Sequence, residues 1–326
     1  MIKEAKLVIN TACNNACSWC YAQTYQGVKA EMSVEVFDKT LSLLKSAECS
    51  NFTFMGGEPT LHKQLPLFVS KAASHGIHSL IVSNGSNFTD TFLAAFENVK
   101  ESLTLNVSIE GATSITHDKV TQTLGSFDKL QQSVLTATKR KFKIGAIMTL
   151  CKENRCDLPN VMALLEKWGV KNLLVNYATY PLNTKYTEAN YLTLQEFSES
   201  VAKTIGTDGQ RALKIKIGPP LPHCMLLPHL HDLMEDNQVH FNNECAVLSG
   251  NSIAIDFNGN ILTCSHLTDV KFGNIGDFSN AEKFKTFLSS IVDDFRVPLK
   301  KYPLKKCNDC SSNEVCFGGC PMLWLQ

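Results

Sequence analysis

Cys13, Cys17 and Cys20 lie on one short polar stretch, Cys13-Asn-Asn-Ala-Cys17-Ser-Trp-Cys20. Three thiolates on one tight loop can hold three irons of a cubane iron–sulfur cluster and leave the fourth iron open to a small molecule. Zinc would want a fourth Cys or His close by, and this stretch has none. The alternative is a chance group of buried cysteines; the polarity of the loop and Trp19 just before Cys20 argue against it. Six more cysteines crowd the last quarter of the chain: Cys245, Cys264, Cys307, Cys310, Cys316 and Cys320. The last four also admit a zinc-ribbon reading. Between the two groups lie Cys49, Cys151, Cys156 and Cys224. The first three read as structural, although Cys151 and Cys156 flank a polar turn and a redox pair there is conceivable.

Three further segments carry polar or glycine-rich chemistry: Met55-Gly56-Gly57-Glu58-Pro59-Thr60, Ser83-Asn84-Gly85, and Ser108-Ile109-Glu110-Gly111. Glycines without Cβ let backbone carbonyls approach a ligand, and carbonyls with a carboxylate suit an ammonium group. Taken singly, each segment is equally an ordinary turn between strand and helix.

The elements that must position these residues alternate. Candidate strands are Leu7–Asn10, Asn51–Met55, Ser79–Ser83, Leu103–Ile109, Phe142–Leu150 and Asn172–Asn176. Helical patterns lie between and after them, at Val34–Leu44, Gln64–Ala73, Asp90–Phe96, Phe127–Thr138, Asp157–Trp168 and Leu194–Ile205. This alternation indicates βαβ units and a parallel sheet. Six units suit an α/β partial barrel, an open (β/α)6 TIM-type sheet, with its site at the C-terminal strand ends. Prolines break the pattern around residues 207–222. A strand pair, Ser252–Asp256 and Asn260–Thr263, then turns on Phe257-Asn258-Gly259, and a helix spans Ala281–Ile291. The expected division is a barrel at 1–206, a linker at 207–244 and a cysteine-rich domain at 245–326.

The Cys13–Cys20 loop directly after the first strand, with an aromatic residue before its last cysteine, resembles the radical SAM superfamily. The resemblance implies a [4Fe-4S] cluster on Cys13, Cys17 and Cys20 whose open iron chelates S-adenosylmethionine. One electron then cleaves the C–S bond, giving methionine and a 5′-deoxyadenosyl radical that abstracts hydrogen from the substrate. It further implies cofactor-binding roles for Trp19, Gly56, Gly57, Glu58 and Pro59, with the GGEP segment at the methionine amino group. Ser83, Asn84, Ser108 and Glu110 would face the carboxylate or ribose. The spacing Cys245-x13-Gly259-x4-Cys264, then Cx2Cx5Cx3C from Cys307 to Cys320, resembles the SPASM extension of that superfamily, a twitch-like iron–sulfur domain, through six of its seven cysteines. This implies one or two auxiliary [4Fe-4S] clusters: cluster I on Cys245, Cys264 and Cys320, cluster II on Cys307, Cys310 and Cys316. The sequence ends at Gln326, before a seventh cysteine would be expected. Three readings stand for Cys224: fourth ligand of cluster I, hydrogen-atom donor, or inert thiol. His223, His229 and His231 flank it and read as solvent-facing or capping groups.

Members of the resembled group with SPASM extensions mostly modify peptides or proteins. The reading is therefore a peptide maturase that forms a C–C or thioether cross-link or epimerises a residue of a ribosomal precursor. Ser265 stands where sulfatase-maturing members carry an Asp, which lowers that reading. No room precedes Cys13 for a fused leader-binding domain, so a separate leader-binding protein or the enzyme's own surfaces would serve. A flavodoxin or ferredoxin would supply electrons. The alternatives are a tailoring enzyme or dehydrogenase acting on an aminocyclitol or tetrapyrrole, and a non-catalytic zinc-binding module. Lys+Arg and Asp+Glu both number 31, which counts against a nucleic-acid substrate because that binding needs a basic surplus; Lys300, Lys301, Lys305 and Lys306 read as a solvated face. The 13 cysteines cannot all pair internally. With no secretory signal and no membrane-length apolar run, the expected setting is a reducing cytoplasm.

Overall fold

The structure is a computed structural model that describes residues 2–25, 27–179, 190–205, 212–228, 230–236, 239–241, 245, 249–291, 307–312 and 316–323. His229 and the four lysines between 300 and 306 lie outside the described residues. Eight strands run parallel and side by side in chain order: β1 (Glu4–Val8), β2 (Asn51–Met55), β3 (His78–Ser83), β4 (Leu103–Ser108), β5 (Lys143–Leu150), β6 (Asn172–Tyr177), β7 (Lys214–Gly218) and β8 (His240–Phe241). Three more extend the β1 edge: β9 (Ser252–Ile255) pairs parallel with β1, then β10 (Asn260–Leu262) and β11 (Lys271–Asn274) follow antiparallel.

Helices α1 (Val34–Ser46), α2 (Leu65–Ser74), α3 (Asp90–Ala94), α4 (Ser114–Thr121), α5 (Ser126–Lys139), α6 (Leu158–Lys167) and α7 (Leu194–Ile205) fill the crossovers, and α8 (Leu230–Asp236) and α9 (Ala281–Ile291) follow. Helix α1 starts where Ser33 accepts a hydrogen bond from the Val36 N–H, satisfying one free donor of the first turn. Its buried side carries Phe37, Leu41 and Leu44, and Phe37 stacks on Phe68 of α2 at 4.2 Å between ring centroids. Among the described residues no helix is long and apolar enough to cross a membrane.

The register levels the strand exits. Val8 lies opposite Met55, Ser83 opposite Val107, and Ser108 opposite Ile147. The chemistry-bearing segments therefore leave the sheet at one end. The structure also adds elements to the sequence reading. Strands β7 and β8 fall within 207–244, and α4 lies between Gly111 and the start of α5. Helix α4, Ser-Ile-Thr-His-Asp-Lys-Val-Thr, contains β-branched and polar residues of weak helix propensity, and starts where Thr113 accepts from the Thr116 N–H.

Candidate active site at the strand exits

The loop bearing Cys13, Cys17 and Cys20 is fastened at three places. At its neck, Met32 N–H donates to Ile9 O, Thr11 N–H to Ala30 O, and Thr11 Oγ1 to Val28 O. At the β3 exit, Asn14 exchanges bonds with Asn84 and Ser86 at 2.7 and 2.8 Å. At α4, Ala16 N–H and Ser18 N–H donate to Thr121 O and Val120 O. The β2 exit lies flat against the neck: Gly57 N–H donates to Asn10 O at 2.9 Å and Glu58 N–H to Ala12 O at 2.7 Å. A Cβ at Gly57 would sit 2.3 Å from Ala12 O, so the second glycine is required by the loop's own backbone.

The structure brings the three thiols together. Burial raises the Cys17 thiol well above its ordinary range, and the charges of Cys20, Glu110 and Cys13 raise it further. Three thiolates this close repel one another unless a cationic centre compensates, which is the condition a bound cluster meets. Cys13 is exposed, within reach of the Asn84 amide and the Glu58 carboxylate.

The remaining expected site residues divide. Glu58 is buried, and its carboxylate accepts from Thr60 N–H, Thr60 Oγ1, Ser83 Oγ and Asn84 N–H at 2.6–3.0 Å. Within this chain it ties the β2 exit to the β3 exit, and Pro59 opens the 3-10 turn that follows. Gly56 O accepts from the Tyr21 hydroxyl at 3.2 Å. Ser108 closes β4 and is half-buried. Glu110 is buried with one oxygen accepting from Thr149 N–H, while Oε1 has no partner. Burial pushes its carboxyl up to about 8, against a lowering by the Thr149 bond. Its own N–H donates to His117 Nδ1 at 3.1 Å. That places the imidazole proton on Nε2, and burial holds the ring neutral, down to about 4. His117 Nε2, Ser18 Oγ and Trp19 Nε1 are likewise buried without partners. Four such atoms around one loop are unusual within a folded interior and fit a polar ligand that would satisfy them.

A second thiol set forms in the C-terminal region. Cys320 is raised by burial and then by the charges of Cys245 and Cys264, so these three share a site. Burial would also raise Cys264, but the hydrogen bond from His266, the charge of His266 and that of Lys6 bring it down to about 7. The turn from Cys316 to Cys320 holds Phe317, Gly318 and Gly319 at φ of 48°, 75° and 81°, and it packs on the segment before Cys224. His223 N–H donates to Cys316 Sγ at 3.5 Å and Cys320 N–H to Pro220 O at 2.8 Å. Cys224 itself is exposed on the turn His223–Met225. Cys307 and Cys310 share a tight turn, with Cys310 N–H on Cys307 O. Among the described residues no three His, Cys, Asp or Glu side chains converge on a single-ion site. Cys49 and Cys151 are buried and Cys156 is exposed.

Residues 7–165 match the family model of the Radical SAM superfamily. This region is a radical SAM domain. Through this domain the chain is a radical SAM enzyme that binds a [4Fe-4S] cluster and S-adenosylmethionine. It is 25% identical over 323 residues to a Fe-coproporphyrin III synthase of Methanosarcina barkeri, covering 94% of this chain and 80% of that one. It is 25% identical over 156 residues to the sporulation killing factor maturation protein SkfB of Bacillus subtilis, covering 48% of this chain and 38% of the relative. The fold resembles SuiB of Streptococcus suis bound to the precursor peptide SuiA, at a TM-score of 0.71 and 15% identity, covering 99% of this chain and 72% of that one.

The sequence reading passed over Asn14, Tyr21, His117 and His266. Asn14, Tyr21 and His266 had a usable signal, since each lies within two residues of an expected cluster cysteine. His117 had none, because α4 itself was not legible in the sequence.

Proposed function

We propose that this enzyme modifies a peptide by hydrogen abstraction, within ribosomal-peptide maturation, to give a cross-link or an epimerised residue. The observation that carries the reading is the pairing of two thiol sites on one sheet, the Cys13–Cys20 loop at the β1 exit and the Cys245–Cys264–Cys320 set, whose Cys264 follows β10, joined by the contact of Tyr21 with His266. A fold neighbour, SuiB, is solved with a precursor peptide bound, and SkfB is named as a maturation protein. When bound, the SAM cluster supplies the electron that cleaves S-adenosylmethionine to methionine and the 5′-deoxyadenosyl radical. The chain's own part is to fix the loop through Asn14, Asn84 and α4, and to offer Ser18, Trp19, Glu110 and His117 to the ligand. Cys307, Cys310 and Cys316 are assigned to a second auxiliary site beside the Cys224 turn, in a cytoplasmic setting.

A second reading is favoured by the match over 323 residues to a Fe-coproporphyrin III synthase: a tetrapyrrole substrate. One experiment separates the two. The anaerobically reconstituted enzyme is given dithionite, S-adenosylmethionine and either deuterated peptides encoded beside its gene or an iron tetrapyrrole. The peptide reading expects deuterium in 5′-deoxyadenosine and a mass or stereochemical change in the peptide. Stimulation of 5′-deoxyadenosine formation by the tetrapyrrole alone, with peptides unaltered, overturns it.

A further inference from the structure

Tyr21 follows the last cysteine of the SAM-cluster loop, and His266 lies two residues beyond Cys264. Their rings meet at 4.7 Å between centroids, tilted by 44°. The Tyr21 hydroxyl is tied to Gly56 O, which fixes the phenol at the β2 exit. His266 touches the other site: its N–H reaches Cys264 Sγ at 3.5 Å, and its Nδ1 lies 3.8 Å from the same sulfur. A continuous path of bonds and contacts therefore runs Cys20, Tyr21, His266, Cys264.

We propose that Tyr21 and His266 form the electron-transfer bridge between the SAM-binding cluster and the auxiliary cluster on Cys245, Cys264 and Cys320. The inference rests on the reading that both sites hold clusters. In the step, one electron leaves the reduced auxiliary cluster, which is oxidised by one, and arrives at the SAM-binding cluster, which is reduced by one. No proton or other atom moves. The electron comes originally from a low-potential flavin or iron–sulfur donor, or from dithionite in vitro. Two π systems in contact carry an electron between the thiolate sets better than saturated side chains or a water-filled gap of equal length. Both rings act through the clusters they join, so both are positioning residues.

The test uses the full chain, reconstituted anaerobically, without peptide. Iron and sulfide content and the shift that S-adenosylmethionine imposes on one paramagnetic signal identify the two clusters. A substoichiometric pulse of dithionite is followed by rapid-freeze electron paramagnetic resonance, reading how the electron redistributes between the signals. Tyr21→Leu and His266→Leu are expected to slow redistribution at least tenfold at unchanged iron content. Tyr21→Phe is expected to restore it, since it keeps the ring and loses only the bond to Gly56. Unchanged redistribution in both leucine variants overturns the bridge. Loss of iron in both would make the pair a structural clasp and also overturns it. A wild-type chain holding about four irons removes the second cluster, and that count, not the kinetics, shows which premise failed.

Discussion

Two buried carboxylates at strand exits, Glu58 after β2 and Glu110 after β4, behave differently because their donors differ. Four donors surround Glu58, so burial raises its carboxyl while the bonds from Thr60, Asn84 and Ser83 oppose the rise. Glu110 has the Thr149 N–H alone and is pushed to about 8. The sign of the consequence follows from proton counting. Between its ordinary value of 4.5 and about 8, the folded chain holds the Glu110 proton and the unfolded chain does not. Stability from this group is complete below 4.5 and is lost as pH rises toward 8, at about 1.4 kcal/mol per pH unit. Glu110→Gln removes that slope. Urea denaturation of iron-free wild type and variant at pH 5.5, 6.5 and 7.5 should show the difference between them growing by about that amount per unit. Parallel pH profiles would mean that Glu110 is ionised in the fold. The sequence placed Glu110 correctly at a strand exit, but its single donor comes from β5 and could not be read from local pattern.

At the scale of elements, the tightest join is between the β2 exit and the neck of the cluster loop. Gly57→Ala sets a methyl 2.3 Å from Ala12 O and 2.6 Å from Thr11 O, both backbone atoms without freedom to turn aside. Overpacking of this kind costs about 1–3 kcal/mol, and here it parts the bonds that fix the loop. The expected outcome is a several-fold loss of iron from the SAM site and a lower melting temperature. Gly76→Ala is the control: at φ +71° it carries a backbone penalty that Gly57→Ala does not, but it has open space around it and no cluster nearby. Equal iron content in the two variants would show that the join does not govern the loop. The alternation of strand and helix up to α7 was legible because each crossover buries a periodic face. Strand β7 was not, although Lys-Ile-Lys-Ile alternates and buries Ile215 and Ile217. The prolines just after it outweighed a four-residue pattern. The β9–β10 pair was legible from Asn258-Gly259, where Gly259 takes φ +79° and Asp256 Oδ1 accepts from Asn258 and Asn260 N–H.

At the scale of the molecule, the partner of that pair was the part no local pattern could show. Strand β9 lies parallel to β1, with Ala5 opposite Ile253 and Leu7 opposite Ile255, and all four side chains are buried. Asn251 O accepts from both Lys3 and Glu4 N–H, and Lys39 Nζ reaches Gly276 O across to α1. Tyr25, just beyond the cluster loop, meets Phe257 edge-on at 5.5 Å. The cysteine-rich region is thus not hung from the barrel by its linker; it completes the barrel's sheet on the side where the SAM loop emerges. A division into 1–206 and 245–326 separates elements that share a sheet. Cutting there would leave β1 as an unpaired edge, with its row of free N–H and C=O groups and apolar side chains open to other chains. The piece 1–206 would also lose β7 from the β6 edge. Expressed alone, it is expected to aggregate, or to elute as higher oligomers on size exclusion and to hold little SAM-site iron. The full chain should elute free of such aggregates with its iron retained. Recovery of 1–206 as a soluble monomer with a full SAM cluster would show that the barrel closes without β9, and that the edge of β1 is protected by something other than strand pairing.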